Sequence, residues 1–176
     1  PELLELVPEA KGYELIAKLN PTRWGADGYQ VDRTEALDGK LKRVGYLLKL
    51  TDRSGKMNWV FTAMDPFAET LAAVAVPSPG GSISQTYVNN LEVSSNVEGV
   101  KTGRFDRGNV EFWGNDYGAG NAKQIPGASD SQYDFGDSVS GGGTYGSMQV
   151  HNFQEKQTVF AFNHLGQNQN CDLGIG

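Results

Sequence analysis

Cysteine is almost missing from this sequence: Cys171 stands alone, so neither a disulfide within the chain nor a thiolate metal cluster supports the fold. Histidine is nearly as scarce, leaving only His151 and His164 for a triad or an acid–base role. No Gly-x-Ser-x-Gly elbow, His-Glu-x-x-His helix or phosphate loop occurs, which removes the commonest hydrolase and nucleotide-binding signatures. Apolar runs are short; the longest, Leu71 to Val76, falls far below the roughly 18 residues that a membrane-spanning helix needs, so no membrane role is expected. Positive charge is also lacking: 15 basic residues face 21 acidic ones for a net charge of −6, and the Lys and Arg are scattered rather than gathered in a stripe. Nucleic acid is therefore disfavoured as a partner, because neutralising phosphates needs clustered cations. The chain starts at Pro1 without a methionine or secretory leader and is expected to be a piece of a longer, exported polypeptide, hence secreted or extracellular.

What is present suits one turn-rich β domain spanning residues 1–176, expected to be monomeric. A chain of this length buries roughly 70% of the surface its unfolded form exposes and needs no covalent staple. The 23 glycines, against three methionines, favour turns and strands over helices. Alternation of apolar and polar residues predicts strands at 13–19, 43–50, 59–64, 87–93, 110–113, 147–153 and 158–164, with another from Leu173. In the second of these Val44, Tyr46, Leu48 and Leu50 face inward; in the fourth Tyr87, Asn89, Leu91 and Val93 share a face. Thr51 to Lys56 reads as a hairpin turn, and Asp65 to Val76 as a short helix with Pro66 in its first turn. The pattern predicts an all-β, jelly-roll sandwich with long glycine-rich loops and at most one or two short helices.

The loop from Gly114 to Gly146 is rich in Gly, Asn, Asp, Ser and Tyr, and loops of that length in compact domains commonly bind something. Sugars are recognised by flat aromatic faces bordered by planar polar groups. The run Phe112-Trp113-Gly114-Asn115-Asp116-Tyr117-Gly118 supplies such a set. Alternation turns Trp113 and Glu111 outward and Val110 and Phe112 inward, although four residues of strand leave a core position for Trp113 open. Trp113 and Tyr117 would stack on sugar; Asn115, Asp116, Asn121 and Gln149 would hydrogen-bond it; Tyr145 and His151 would stand nearby. Arg104 or Arg107 would meet an acidic substituent. Trp24 and Trp59 are weaker candidates, Trp59 sharing its face with Phe61 and Ala63 as a core residue would. Asp130, Asp134 and Asp137 place three carboxylates within eight residues, the kind of set a calcium loop uses, or else are turn and cap residues.

The blocks Trp113 to Gly118, Ile125 to Asp130, Tyr133 to Asp137, Tyr145 to Asn152 and Asp172 to Gly176 resemble non-catalytic β-sandwich carbohydrate-binding modules. Such modules are attached to secreted carbohydrate-active enzymes, including sialate O-acetylesterase-like proteins, of marine polysaccharide-degrading bacteria. The opening, Pro1 to Leu19, resembles the start of the same modules. The resemblance implies a jelly-roll fold, an exported parent polypeptide with a covalently linked catalytic domain, and polysaccharide or oligosaccharide as partner. In the related modules Asn-Tyr-Gly follows the tryptophan, where this chain has Asp116-Tyr117-Gly118.

Three functions stay open on the sequence. The first is a binding module without catalytic residues, aimed at a marine galactan or related algal glycan. The second is a polysaccharide hydrolase or lyase using Glu111, Asp116, Asp130, Asp134 or His151, chemistry that needs two carboxyl groups at a set separation. The third is a spacer packed on a catalytic domain.

Overall fold

The computed structural model describes residues 2–19, 29–33, 41–74, 84–113, 144–165 and 170–175. Helix α1 (Glu2–Leu6) and a 3-10 turn (Pro8–Ala10) lead into β1 (Ala17–Leu19) and β2 (Tyr29–Asp32), which form a two-stranded sheet. The main sheet contains β3 (Val44–Thr51), β4 (Met57–Met64), β5 (Ser84–Ser95), β6 (Gly103–Trp113), β7 (Thr144–Asn152), β8 (Gln157–Leu165) and β9 (Asn170–Ile175). Helix α2 (Leu71–Val74) lies between β4 and β5. All seven strands pair antiparallel with their neighbours in chain order, and contacts between β9 and β4 show that the sheet curls back on itself. Among the described residues no helix is long and apolar enough to cross a membrane.

The chain is thus mostly β, as expected, but its strand order is that of a meander. A jelly-roll divides its strands between two sheets through Greek-key crossovers. Here the turns at 52–56, 96–102 and 153–156 return each strand beside its predecessor, as consecutive strands usually lie side by side.

The β3–β4 hairpin shows how local sequence sets register. Asp52 Oδ1 accepts hydrogen bonds from Ser54 N at 2.9 Å and Lys56 N at 3.0 Å, and Gly55 adopts φ +86°, which a side chain would resist. The same Ser54 hydroxyl and backbone donors hold the Asp52 carboxyl below its ordinary pKa. Pairing then runs unbroken from Thr51↔Met57 to Val44↔Met64.

Two apolar clusters lie on opposite faces. Val44, Leu48, Val60, Met64, Val88, Leu91, Val93, Val110, Met148, Val150 and Phe160 fill the inner one, with Tyr46 packed against it. On the outer face of β3–β4, Val7 and Ala10 cover Phe61 and Ala63, Trp59 packs beside them as expected of a core residue, and Tyr13 meets Phe61 edge-on at 5.5 Å. A Cβ on Gly45 would come within 2.7 Å of the Phe61 ring, so glycine is what lets that ring approach β3 so closely. Glu2 anchors the amino-terminal cover through Lys49 at 3.2 Å and Lys18 at 3.6 Å, contacts that lower its pKa.

Three boundaries differ from expectation. Strand pairing begins at Ala17 rather than Tyr13, because the preceding residues pack their rings and aliphatic groups over β4. Of the helix expected at 65–76, the described residues show only Leu71–Val74 as helix; Phe67 and Ala68 instead pack onto the inner core. Tyr145, expected on a loop, lies in β7.

Tyr46 ties α2 to the sheet: its buried hydroxyl donates to the Val74 carbonyl at 2.6 Å, and desolvation raises its pKa well above the ordinary tyrosine value. A raised folded-state pKa stabilises below the unfolded value and loses that contribution as pH rises through the folded one. Tyr46→Phe should lower stability by about 1 kcal/mol at neutral pH in urea titration. The gap between wild type and variant should narrow at alkaline pH; a gap that stays constant would show that the hydroxyl does not titrate in this setting.

Candidate functional site

Two polar constructions stand out, one sealed and one open. The sealed one lies on β6 and β7, where the register sets Asn109 opposite His151 and Glu111 opposite Gln149. Val110, Met148 and Val150 point to the inner core, so alternation turns these four polar side chains to the other face. That face is covered: Asn109 and His151 are 0% exposed, Gln149 1% and Glu111 2%. Asn109 Nδ2 donates to Glu111 Oε1 at 3.1 Å, and Asn109 Oδ1 lies 2.6 Å from His151 Nδ1. Because the Asn109 nitrogen is committed to the carboxylate, its oxygen must accept, which assigns the proton of a neutral His151 to Nδ1. Gly108 lets β7 approach, since a Cβ there would lie 2.1 Å from the His151 carbonyl oxygen. Asn152, next along β7, accepts from Gln154 N at 3.1 Å and Glu155 N at 3.3 Å and so closes the turn into β8.

The open construction lies where β5 and β6 bend. Val88 and Leu91 both enter the inner core, three residues apart instead of two, and Asn90 between them has φ +51°. The ladder passes from Asn89↔Arg107 to Leu91↔Phe105, leaving Asn90 and Asp106 out of regular pairing. Neither strand gains a residue on the other, since Asn90 and Asp106 are skipped together and the register is unchanged; the left-handed residue kinks the ladder there and re-aims the side chains beside it. At the bend is a groove of about 450 Å³ lined by Arg43, Asp65, Asn90, Glu92, Arg104 and Asp106, with half-buried Phe105 beneath. Its charges alternate. Arg43 holds Asp65 at 3.0 Å and reaches Glu92 at 3.8 Å, Arg104 holds Glu92 at 3.0 Å, and the Asn90 amide donates to Asp65. Asp65 N also bonds Asn89 O at 3.0 Å, fixing the end of β4 to the bend. Further back along β5, Tyr87 is 48% exposed and meets Phe153 edge-on at 5.7 Å.

The residues expected to bind ligand fall into three groups. Gln149 and His151 face away from the core as the alternation predicted, yet both are buried, so a polymer would have to displace their cover to touch them. Glu111 lies on the same face, turned from the core as the alternation predicted, and is buried beside them. Arg104 and Arg107 are both exposed; Arg104 belongs to the groove, already paired with Glu92, and Arg107 stands opposite Asn89. Trp113 pairs with Ser147 at the end of β6. Asn115, Asp116, Tyr117 and Asn121, the calcium candidates Asp130, Asp134 and Asp137, and Trp24 lie outside the described residues. Among the described residues no three His, Cys, Asp or Glu side chains gather as metal ligands.

Sequence reasoning missed Arg43, Asp65, Asn90, Glu92 and Asp106. The signal was the odd spacing of core residues around the Asn89-Asn90 pair, which marks a kink rather than a straight strand. Comparison of the chain with protein-family models, with curated proteins and with solved structures finds no match.

The assignment at His151 is directly observable. Long-range proton–nitrogen NMR spectra of the imidazole should show the neutral ring protonated at Nδ1, and Asn109→Leu should destabilise the fold by about 1–3 kcal/mol through stranding its buried partners. A neutral ring protonated at Nε2 would mean that the Asn109 amide is turned the other way.

Proposed function

We propose that this chain is a non-catalytic carbohydrate-binding module that brings a linked catalytic domain to a polysaccharide, a marine galactan or related algal glycan. The observation carrying the proposal is the outer-face groove at the β5–β6 bend, where carboxylates, guanidinium groups and an amide are fixed side by side in the open. Planar polar groups of this kind pair with adjacent sugar hydroxyls two bonds at a time. Tyr87 adds an exposed ring three residues from Asn90, roughly 10 Å along a strand and so about two sugar units away. The likeness of the loop blocks to modules of secreted carbohydrate-active enzymes supports the same function and an extracellular setting. Trp113, Asn115, Asp116, Tyr117 and Asn121 remain candidates for extending the contact, and a calcium ion at Asp130, Asp134 and Asp137 would be structural.

The groove is shallow and solvated, so micromolar to millimolar dissociation constants are expected, about −8 to −4 kcal/mol. Isothermal titration against a panel of marine and plant polysaccharides, with and without chelator, should find at least one ligand in that range and no new reducing ends. Tyr87→Ala should weaken binding roughly three- to tenfold, the worth of one aromatic contact, without unfolding the chain. Absence of binding to every polymer by a folded chain would overturn the proposal, and release of chain-end products would move it to the hydrolase class.

A further inference from the structure

The groove has a charge character that selects among glycans. Its two cations are both taken: Arg43 lies between Asp65 and Glu92, and Arg104 is paired with Glu92. Asp106 adds a third carboxylate to the lining, so two positive and three negative groups leave one negative charge in excess. The chain as a whole carries −6. Arg104 was a candidate partner for an acidic substituent, but its guanidinium is already committed, and releasing it for a sulfate would expose Glu92 to the same anion. Neutral hydroxyls meet no such penalty. They can donate to carboxylate lone pairs that the ion pairs leave open and accept from unused guanidinium N–H groups, with every ion pair kept.

We infer that the groove formed by Arg43, Asp65, Asn90, Glu92, Arg104 and Asp106 prefers neutral, hydroxyl-rich stretches of glycan over sulfated or uronate-bearing ones. The inference rests on the carbohydrate-binding function proposed above and gives it a substrate class. An algal galactan would be engaged at its unsulfated segments. Repulsion from the excess carboxylate costs about threefold in affinity for one sulfate held roughly 6 Å away in water, and the penalty grows with each further sulfate. Salt at high concentration screens it.

The test uses the full chain labelled with nitrogen-15 and a panel of neutral galactan and β-glucan hexasaccharides, each paired with the same hexasaccharide chemically sulfated. The expected result is that at least one neutral member shifts the backbone amides of Asn90, Glu92, Arg104 and Asp106. Its sulfated twin should bind at least about threefold more weakly at low salt, with the difference shrinking as salt is added. Asp106→Lys reverses the excess charge on an exposed side chain and should bring the sulfated twin level or ahead. Sulfated ligands that bind wild type as tightly as neutral ones at low salt would overturn the selectivity while leaving carbohydrate binding intact. Shifts confined to other amides would overturn the groove as the site. No binding to either series would overturn both the inference and the function on which it rests.

Discussion

A break in the alternation of β5 at Asn90 is the constraint on which the rest of this structure depends. Asn90 at φ +51° resets the alternation of β5, so that Val88 on one side and Leu91 and Val93 on the other can all reach the inner core. Without that break, a period of two would send either Val88 or the Leu91–Val93 pair to the opposite face, since successive side chains alternate between faces. The bend also helps a single meander to wrap around one apolar cluster, letting β3 to β8 contribute to it from strands that are not all neighbours. On the outside the same bend re-aims Asn90 and Asp106 and gathers Arg43, Asp65, Glu92 and Arg104 around the opening.

The outer face of the sheet is divided by function along its width. Over β3 and β4 it is apolar and covered by the amino-terminal segment, with Val7 and Ala10 on Phe61 and Ala63. Over β5 and the near part of β6 it is polar and open. Over β6 and β7 it is polar and sealed, with Asn109 linking Glu111 to His151. Polar side chains buried in this way are costly unless their hydrogen bonds are made, and a connected network fixes its members in one arrangement. That rigidity suits a supporting wall better than a contact surface.

Much of the β architecture was legible in the sequence because alternation is a local property. Val44, Leu48, Met148 and Val150 face the core as their spacing requires, and Thr51 to Lys56 turns the chain where Asp52 and Gly55 dictate. The strand order was not legible in the same way. Whether strands fold into a meander or a two-sheet Greek key is decided by packing between distant residues, and β9 touching β4 leaves no trace in either segment alone. The sealed polar face was half legible: alternation correctly set Gln149 and His151 apart from Met148 and Val150, but it reports which side of a sheet a residue is on and says nothing of what covers that side. The groove is hidden from uniform alternation, which sets Tyr87, Asn89, Leu91 and Val93 on one face. The Val88-to-Leu91 interval already violated it.

If the kink at Asn90 builds a sugar-binding surface, the glycan must sit on the bend itself. A crystal structure of the chain with a bound neutral hexasaccharide tests this most directly. The account predicts sugar hydroxyls within hydrogen-bonding distance of Asn90, Glu92 and Arg104, with the chain of rings running toward Tyr87. A glycan held elsewhere, with the bend left to solvent, would contradict it.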